Sequence, residues 1–129
     1  NPIIGIGEDN YAKYQKKLID QGKIDKFAGN FLHPHGEYIT SLVEQGVIGL
    51  LAFILVLFIP IMFFFNIIKC NLFNYQERVL ATSGMLIGLH YALYSFTSGV
   101  FDHQSSTLFY AIFMVIILGL AKSNLRIKV

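Results

Sequence analysis

Residues 47–68 read "VIGLLAFILVLFIPIMFFFNII", a run of 22 residues without an Asp, Glu, Lys or Arg. At the rise of an α-helix this run is about 33 Å long, close to the roughly 30 Å hydrocarbon thickness of a bilayer. A core helix of a soluble protein seldom stays uncharged over such a length, because one of its faces meets water. The run therefore predicts a transmembrane helix.

Two further apolar stretches, 79–100 and 107–121, are predicted to be membrane helices as well. Hydrophobic residues make up 54% of the chain, charged residues only 14%, and the mean hydropathy is +0.55, a composition unusual for a soluble domain. The net charge of +2 is too small to favour a nucleic-acid partner. Three spans account for this composition.

The distribution of basic residues predicts the orientation of these spans. The loop 69–78 and the tail 122–129 carry five Lys and Arg residues between them, whereas the turn 101–106 carries none. Because Lys and Arg near span ends favour the cytoplasmic side, we expect the loop and the tail to be cytoplasmic. The turn and residues 1–46 would then share the opposite face, and at least one further span would have to precede a chain that starts there. The five lysines of 1–46 weaken this rule, but long or folded segments translocate largely regardless of charge.

The first segment opens with "NPIIGIGEDNY", in which Pro2, Gly5 and Gly7 interrupt regular structure. A dinucleotide fingerprint needs a third glycine in a strand–turn–helix context, so these glycines indicate a tight turn instead. A helix over residues 10–21 follows from the spacing of its apolar residues, and Gly22 is a suitable stop.

The segment "HPHGEYITSLVEQGVIGL" (33–50) carries the most specific chemistry. Pro34 suits the first turn of a helix, which places His35 in that turn. There the helix dipole disfavours an imidazolium, so His35 is expected to stay neutral and able to accept a proton. Glu37 lies in the same turn, and Gly36 leaves the backbone open to a ligand. From the residues alone, a catalytic His35 and a structural histidine at the membrane boundary remain equally open.

At this segment the chain resembles the O-antigen ligase and O-antigen polymerase family. In that family a histidine, usually followed by Asn, precedes an amphipathic helix with a Glu and a Gly-x-x-Gly that leads into a transmembrane helix. The matching positions here are His35, Glu44, Gly46 and Gly49. The opening of the chain is similar to the family's Pro-x-x-Gly-x-Gly stretch of the large periplasmic loop, at Pro2, Gly5 and Gly7.

The resemblance covers the whole chain as the family's carboxy-terminal part. It implies an all-α, polytopic membrane protein fragment of the bacterial inner membrane, with three transmembrane helices preceded by a periplasmic helical loop segment, residues 1–46. The activity it implies is metal-independent transfer of a glycan from undecaprenyl diphosphate to an acceptor, which in the ligase branch is the lipid A core. No cofactor is implied, and the fragment's helices would pack against the membrane helices of the rest of the protein and against membrane lipids.

By the same resemblance His35 is the catalytic histidine, which accepts the proton of the attacking hydroxyl. We expect the supporting or substrate-binding residues to be His33, Gly36, Glu37, Asp102 and His103. Two departures from the family pattern stand out. Gly36 replaces the usual Asn, and no Arg precedes Arg78, whereas the family holds the diphosphate with loop and upstream arginines. The fragment by itself is therefore expected to be inactive.

Two other classes of function remain open at this stage. A metal-binding or ion-handling membrane module would use the nitrogen and oxygen ligands predicted on one face, which are His33, His35, Glu37, Asp102 and His103. A structural bundle or transporter fragment would use His90 in the second span as an inward-facing neutral residue, with Pro60 as a kink in the first span.

Overall fold

The computed structural model describes residues 1–30, 34–70, 73–99 and 104–126. These ranges contain α1 (Tyr11–Asp20), a 3-10 helix (Lys26–Asn30), α2 (Glu37–Lys69), α3 (Tyr75–Tyr94) and α4 (Gln104–Arg126). No strand occurs within them. The all-α prediction is therefore confirmed for the part of the chain that the structure describes.

Among the described residues, α2 is the one helix that is long and apolar enough to cross a membrane, and it contains the predicted span 47–68. The apolar part of α4, Gln104–Leu120, is shorter than the length needed to cross a membrane. Pro60 lies inside α2, but the backbone leaves helical geometry at Gly46 and not at the proline. The break at Gly46 was not predicted, and the kink at Pro60 stays a prediction.

Helix α3 differs from the predicted range 79–100 at both ends. It begins at Tyr75 because Asn74 and Glu77 form a reciprocal cap. The backbone N–H of Asn74 donates to Glu77 Oε2 at 2.7 Å, and the backbone N–H of Glu77 donates to Asn74 Oδ1 at 2.9 Å. Helix α3 ends at Tyr94, and the following residues form a turn rather than a further helical turn.

The described chain divides into two compact units. The first unit comprises Asn1–Phe53 with Ser95–Gly99, and the second comprises Ile54–Tyr94 with the described part of Val100–Val129. In the first unit, α1 ends at Asp20, and the predicted stop, Gly22, follows two residues later with a φ of +65° and an amide that donates to the Ile19 carbonyl at 2.9 Å. The buried Gln15 ties α1 to the 3-10 helix through a 2.8 Å bond from its Nε2 to the Ala28 carbonyl.

The core of the second unit is built from large side chains packed against small ones. Its buried residues include Leu57, Ile61, Phe64 and Ile67 of α2, Ala81, Gly84, Gly88 and Ala92 of α3, and Tyr110, Met114 and Ile117 of α4. A Cβ atom at Gly84 would lie 2.6 Å from the Phe64 ring, so only glycine permits this approach. Small residues at helix contacts are typical of helix packing in membranes.

Large apolar side chains also point outward from α2 and α4. Exposed examples include Leu55, Ile59, Phe63, Leu108, Phe109, Val115 and Ile116. An apolar exterior of this extent is expected where helices meet lipid or further apolar helices.

Candidate functional site

His35 lies two residues before α2, which begins at Glu37. The prediction that His35 occupies the first helical turn is wrong, and the argument that the helix dipole keeps its imidazole neutral loses its basis. The physical reason is Gly36, whose φ of +93° turns the chain sharply before the helix starts. The Gly36 carbonyl then accepts the first helical bonds, from the Ile39 and Thr40 amides at 3.1 Å.

The backbone beside His35 is held against the turn that follows α3. A Cβ atom at Gly36 would lie 2.6 Å from the Phe96 carbonyl oxygen and 3.3 Å from that of Ser95. The expectation that Gly36 leaves room for a ligand is therefore wrong, because the backbone of residues 95–96 fills that space. Any residue with a Cβ, including the Asn usual in the family that the chain resembles, would collide there.

Two further interactions hold the same place. The Glu37 amide, which begins α2, donates to the Ser95 carbonyl at 2.8 Å. The ring of Tyr38 packs on Phe96, with centroids 4.5 Å apart, and meets Phe53 edge-on at 5.0 Å. The result is an exposed imidazole at His35 on a backbone fixed by its neighbours. We call the set Gly36, Glu37, Tyr38, Ser95 and Phe96 the histidine clamp.

His35 and Glu37 differ in their access to solvent. His35 is exposed, whereas only 8% of the Glu37 surface is. A ligand can therefore reach the imidazole directly, while the carboxylate belongs to the interior of the first unit.

A second feature of the first unit is a break in α2 at Gly46, where φ is 73° and ψ is −165°. Such a break deprives carbonyls before it and amides after it of their helical partners. The amino-terminal loop, which we define as residues 1–7, supplies the missing partners from another part of the chain. The Val47 and Ile48 amides donate to its Pro2 and Ile3 carbonyls, at 3.0 and 3.3 Å.

The same loop also satisfies the carbonyls before the break. Its Ile6 amide donates to the Val43 carbonyl at 3.0 Å, and its Gly7 amide donates to the Glu44 carbonyl at 2.9 Å. Four hydrogen bonds thus replace those that the break removes. The two glycine-containing segments on which the family resemblance depends, "PIIGIG" and "EQGVIG", are therefore partners in one backbone interaction.

Close backbone approach explains the glycines at this break. A Cβ atom at Gly46 would lie 2.6 Å from the Gly5 nitrogen, and one at Gly5 would lie 2.7 Å from the Gln45 nitrogen. Both glycines also have positive φ, of 73° and 72°. The prediction of a tight turn at Gly5 and Gly7 agrees with this geometry, but its partner in α2 was not predicted.

Several predicted site residues cannot be placed. His33, Asp102 and His103 lie outside the described residues. Within the described ranges, no group of three or more His, Cys, Asp or Glu side chains could hold a metal ion. Of the five proposed zinc ligands, only His35 and Glu37 are described.

His90, the residue on which the bundle or transporter alternative depends, lies on α3 in the second unit. Its ring stacks on Tyr94 and meets Tyr91 edge-on, with both centroid distances 5.9 Å. His90 is exposed, so the expectation that it faces inward is wrong for the described residues. The inward positions of α3 at this level are taken by Gly88 and Ala92.

Sequence reasoning missed Ser95 and Phe96 as parts of the histidine clamp. Both lie inside the apolar stretch 79–100, where no proline or charged residue signals the end of a helix. The role of Ser95 depends on its main-chain carbonyl, which every residue type possesses, whereas Phe96 contributes both its carbonyl and its ring against Tyr38. Neither residue type marks its position as the partner of a segment almost 60 residues earlier in the chain.

Comparison with known proteins adds a distant relative. No protein-family model matches the chain. An uncharacterized protein from Haemophilus influenzae is 28% identical over 109 residues, which cover 84% of this chain and 27% of the relative. The chain thus spans about a quarter of the length of that protein. The match attaches no activity to either sequence.

Proposed function

We propose that this chain is the carboxy-terminal part of a multi-pass glycosyltransferase of the O-antigen ligase type in the bacterial inner membrane. The observation that supports this most is the exposed imidazole of His35 on a backbone fixed by the histidine clamp. A group that takes a proton from a bulky glycan acceptor must be accessible and yet well positioned. The exposure of His35 and the packed backbone that follows it support this proposal.

In the proposed reaction, His35 accepts the proton of an acceptor hydroxyl on the lipid A core. The hydroxyl oxygen attacks the anomeric carbon of the glycan and forms the new glycosidic bond. The bond from that carbon to the diphosphate oxygen breaks, and undecaprenyl diphosphate leaves with the electron pair. The step is metal-independent, and the arginines that balance the diphosphate charge would come from the rest of the protein.

The proposed topology follows from the same assignment. Helices α2, α3 and α4 would each span the membrane, with residues 1–46 and the turn 101–106 in the periplasm. The apolar exteriors of α2 and α4 favour this setting, since exposed apolar side chains of that number are costly in water. The other membrane helices of the protein and the lipids would cover these faces.

The decisive experiment is complementation by the full-length gene in a strain that lacks its own ligase. We expect His35→Ala and His35→Gln to abolish attachment of O-antigen to the lipid A core, with protein level unchanged on an immunoblot. His90→Ala is the matched control, because His90 is also an exposed histidine but lies in the other unit. Normal attachment with either His35 variant would refute the catalytic role.

The polymerase branch of the family would use the same histidine on a different acceptor. Complementation of a strain that lacks its polymerase but keeps its ligase distinguishes the polymerase branch from the ligase branch. Restoration of long glycan chains there, together with failure in the ligase-deficient strain, would assign the chain to the polymerase branch. Restored attachment in the ligase-deficient strain alone would assign it to the ligase branch.

A further inference from the structure

The first unit carries a basic surface that the proposed transfer reaction does not use. Five lysines of α1 and the following residues are all exposed, and we call them the lysine surface: Lys13, Lys16, Lys17, Lys23 and Lys26. Four exposed acidic residues accompany them, Glu8, Asp9, Asp20 and Asp25, so residues 8–30 have a net charge of +1 and α1 by itself has a net charge of +2. Asp25 has a local role, since its Oδ1 accepts a 2.7 Å bond from the Phe27 amide.

The helical geometry of α1 separates the lysines from the packed side. At about 100° per residue, Lys13, Lys16 and Lys17 fall within an arc of about 100°. The opposite side carries the buried Gln15 and the half-buried Ile19, which face the 3-10 helix. The lysines therefore point away from the body of the first unit.

Aromatic side chains accompany the lysine surface. Tyr14 is 46% exposed and follows Lys13 on α1, and Phe27 is 66% exposed and follows Lys26. Lysine ammonium groups beside exposed aromatic rings are typical of segments that lie at the headgroup level of a membrane. Neither an enclosed pocket nor a set of converging donors is needed for such binding.

We infer that the lysine surface binds the anionic phospholipid headgroups of the membrane. Charge complementarity selects anionic over zwitterionic lipid, and the exposed aromatic rings fit the interfacial region. Chain connectivity limits how far this surface can lie from the proposed span 47–68, because six residues separate the 3-10 helix from α2 and residues 37–46 of α2, about 15 Å of helix, precede the span. Six residues span at most about 22 Å. The inference rests on the membrane location within the proposed function and does not depend on the chemistry of His35.

The chain contains no tryptophan, so Tyr14→Trp introduces a single fluorescent reporter beside the lysines. The test uses the full chain in nanodiscs of phosphatidylcholine alone or with about 30% phosphatidylglycerol, both containing lipid brominated near the glycerol end. We expect quenching of the reporter to be at least twofold stronger in the anionic nanodiscs. The difference should vanish in about 500 mM NaCl, where charges on the surface are screened within a few ångströms.

Charge variants in the reporter background test the named residues. Each lysine near an anionic surface strengthens binding roughly fivefold, so replacing Lys13, Lys16 and Lys17 by Gln should remove the anionic preference. Asp20→Asn, within the same arc, should increase it. Lys69→Gln, at the end of α2 in the second unit, is the matched control and should leave the preference unchanged.

Equal quenching in the two nanodiscs, or a preference that survives both salt and the triple lysine replacement, would overturn the inference. Failure of the chain to enter nanodiscs would overturn it as well, together with the membrane part of the proposed function. Loss of glycan transfer is not part of this readout, so a negative result for His35 leaves the lipid test independent.

Discussion

The Tyr110 hydroxyl donates a hydrogen bond to the Val56 carbonyl at 2.9 Å. Val56 lies four residues before Pro60, whose missing N–H leaves that carbonyl without its helical partner. Tyr110 of α4, only 5% exposed, therefore repairs a defect that proline creates in α2. This bond satisfies the carbonyl that Pro60 leaves without a helical partner, and α2 continues through the proline.

Tyr110→Phe should destabilise the protein by about 1 kcal/mol, because it removes the donor and leaves the Val56 carbonyl without this hydrogen bond. Thermal unfolding of the full chain in detergent measures the loss. Tyr75→Phe is the control, since Tyr75 is among the most exposed aromatic residues of the second unit. In a Pro60→Ala background the helix regains its own N–H, so the cost of Tyr110→Phe should shrink. An unchanged cost there would contradict the assignment.

Gly46→Ala should destabilise the first unit by more than about 2 kcal/mol, because the new Cβ would strike the amino-terminal loop at positive φ. Amide hydrogen exchange is the sharpest readout. Val47 and Ile48 should exchange faster, since their acceptors, the Pro2 and Ile3 carbonyls, would be displaced. Gly119→Ala is the matched control. Gly119 lies in α4 with no atom within 4 Å of its Cβ position, so this substitution should be neutral or slightly stabilising. Unchanged exchange at Val47 would refute the pairing.

Gly36→Ala should lower glycan transfer by the full-length protein even though His35 is intact, because the Cβ would press on the Phe96 carbonyl and move the histidine backbone. A displacement near 1 Å commonly costs about 100-fold in rate. Gly22→Ala separates this collision from backbone strain, since Gly22 has a φ of +65° but no atom within 4 Å of its Cβ position. Complementation with both variants at matched protein level provides the comparison. Equal activity of the two would count against the histidine clamp as a positioning device.

Asn74→Ala should destabilise α3 by about 1 kcal/mol, because it removes the acceptor for the Glu77 amide. Circular dichroism during thermal unfolding provides the measurement. Gln76 is exposed in the same first turn, so Gln76→Ala is the control and should have little effect on the stability of α3. A cost for Gln76→Ala as large as that for Asn74→Ala would mean that the cap is not the source of stability.

Prediction from the sequence succeeded where neighbouring residues determine the structure. The helix expected over 10–21 is present at Tyr11–Asp20, with Gly22 as its stop. It failed where one segment depends on a distant one. Helix α3 ends at Tyr94, inside an apolar stretch, and the carbonyls beyond it meet Gly36 and Glu37, almost 60 residues earlier in the chain.

The same distinction between local and distant partners applies to the candidate site. His35 was identified from its sequence context, and its catalytic role stays a prediction. His35 was expected in the first turn of the helix but lies two residues before it, because Gly36 has a positive φ and α2 begins only at Glu37. The histidine clamp depends on main-chain atoms of Ser95, which no residue pattern marks.

The amino-acid sequence by itself determined the helical class and the membrane length of α2, because both follow from composition and from contacts within a few residues along the chain. Only the tertiary structure decided which segments complete one another: the amino-terminal loop at the Gly46 break, residues 95–96 against Gly36, and Tyr110 at the carbonyl freed by Pro60. A break in a helix leaves polar backbone groups that must find partners, and those partners can come from any part of the chain that packing brings near.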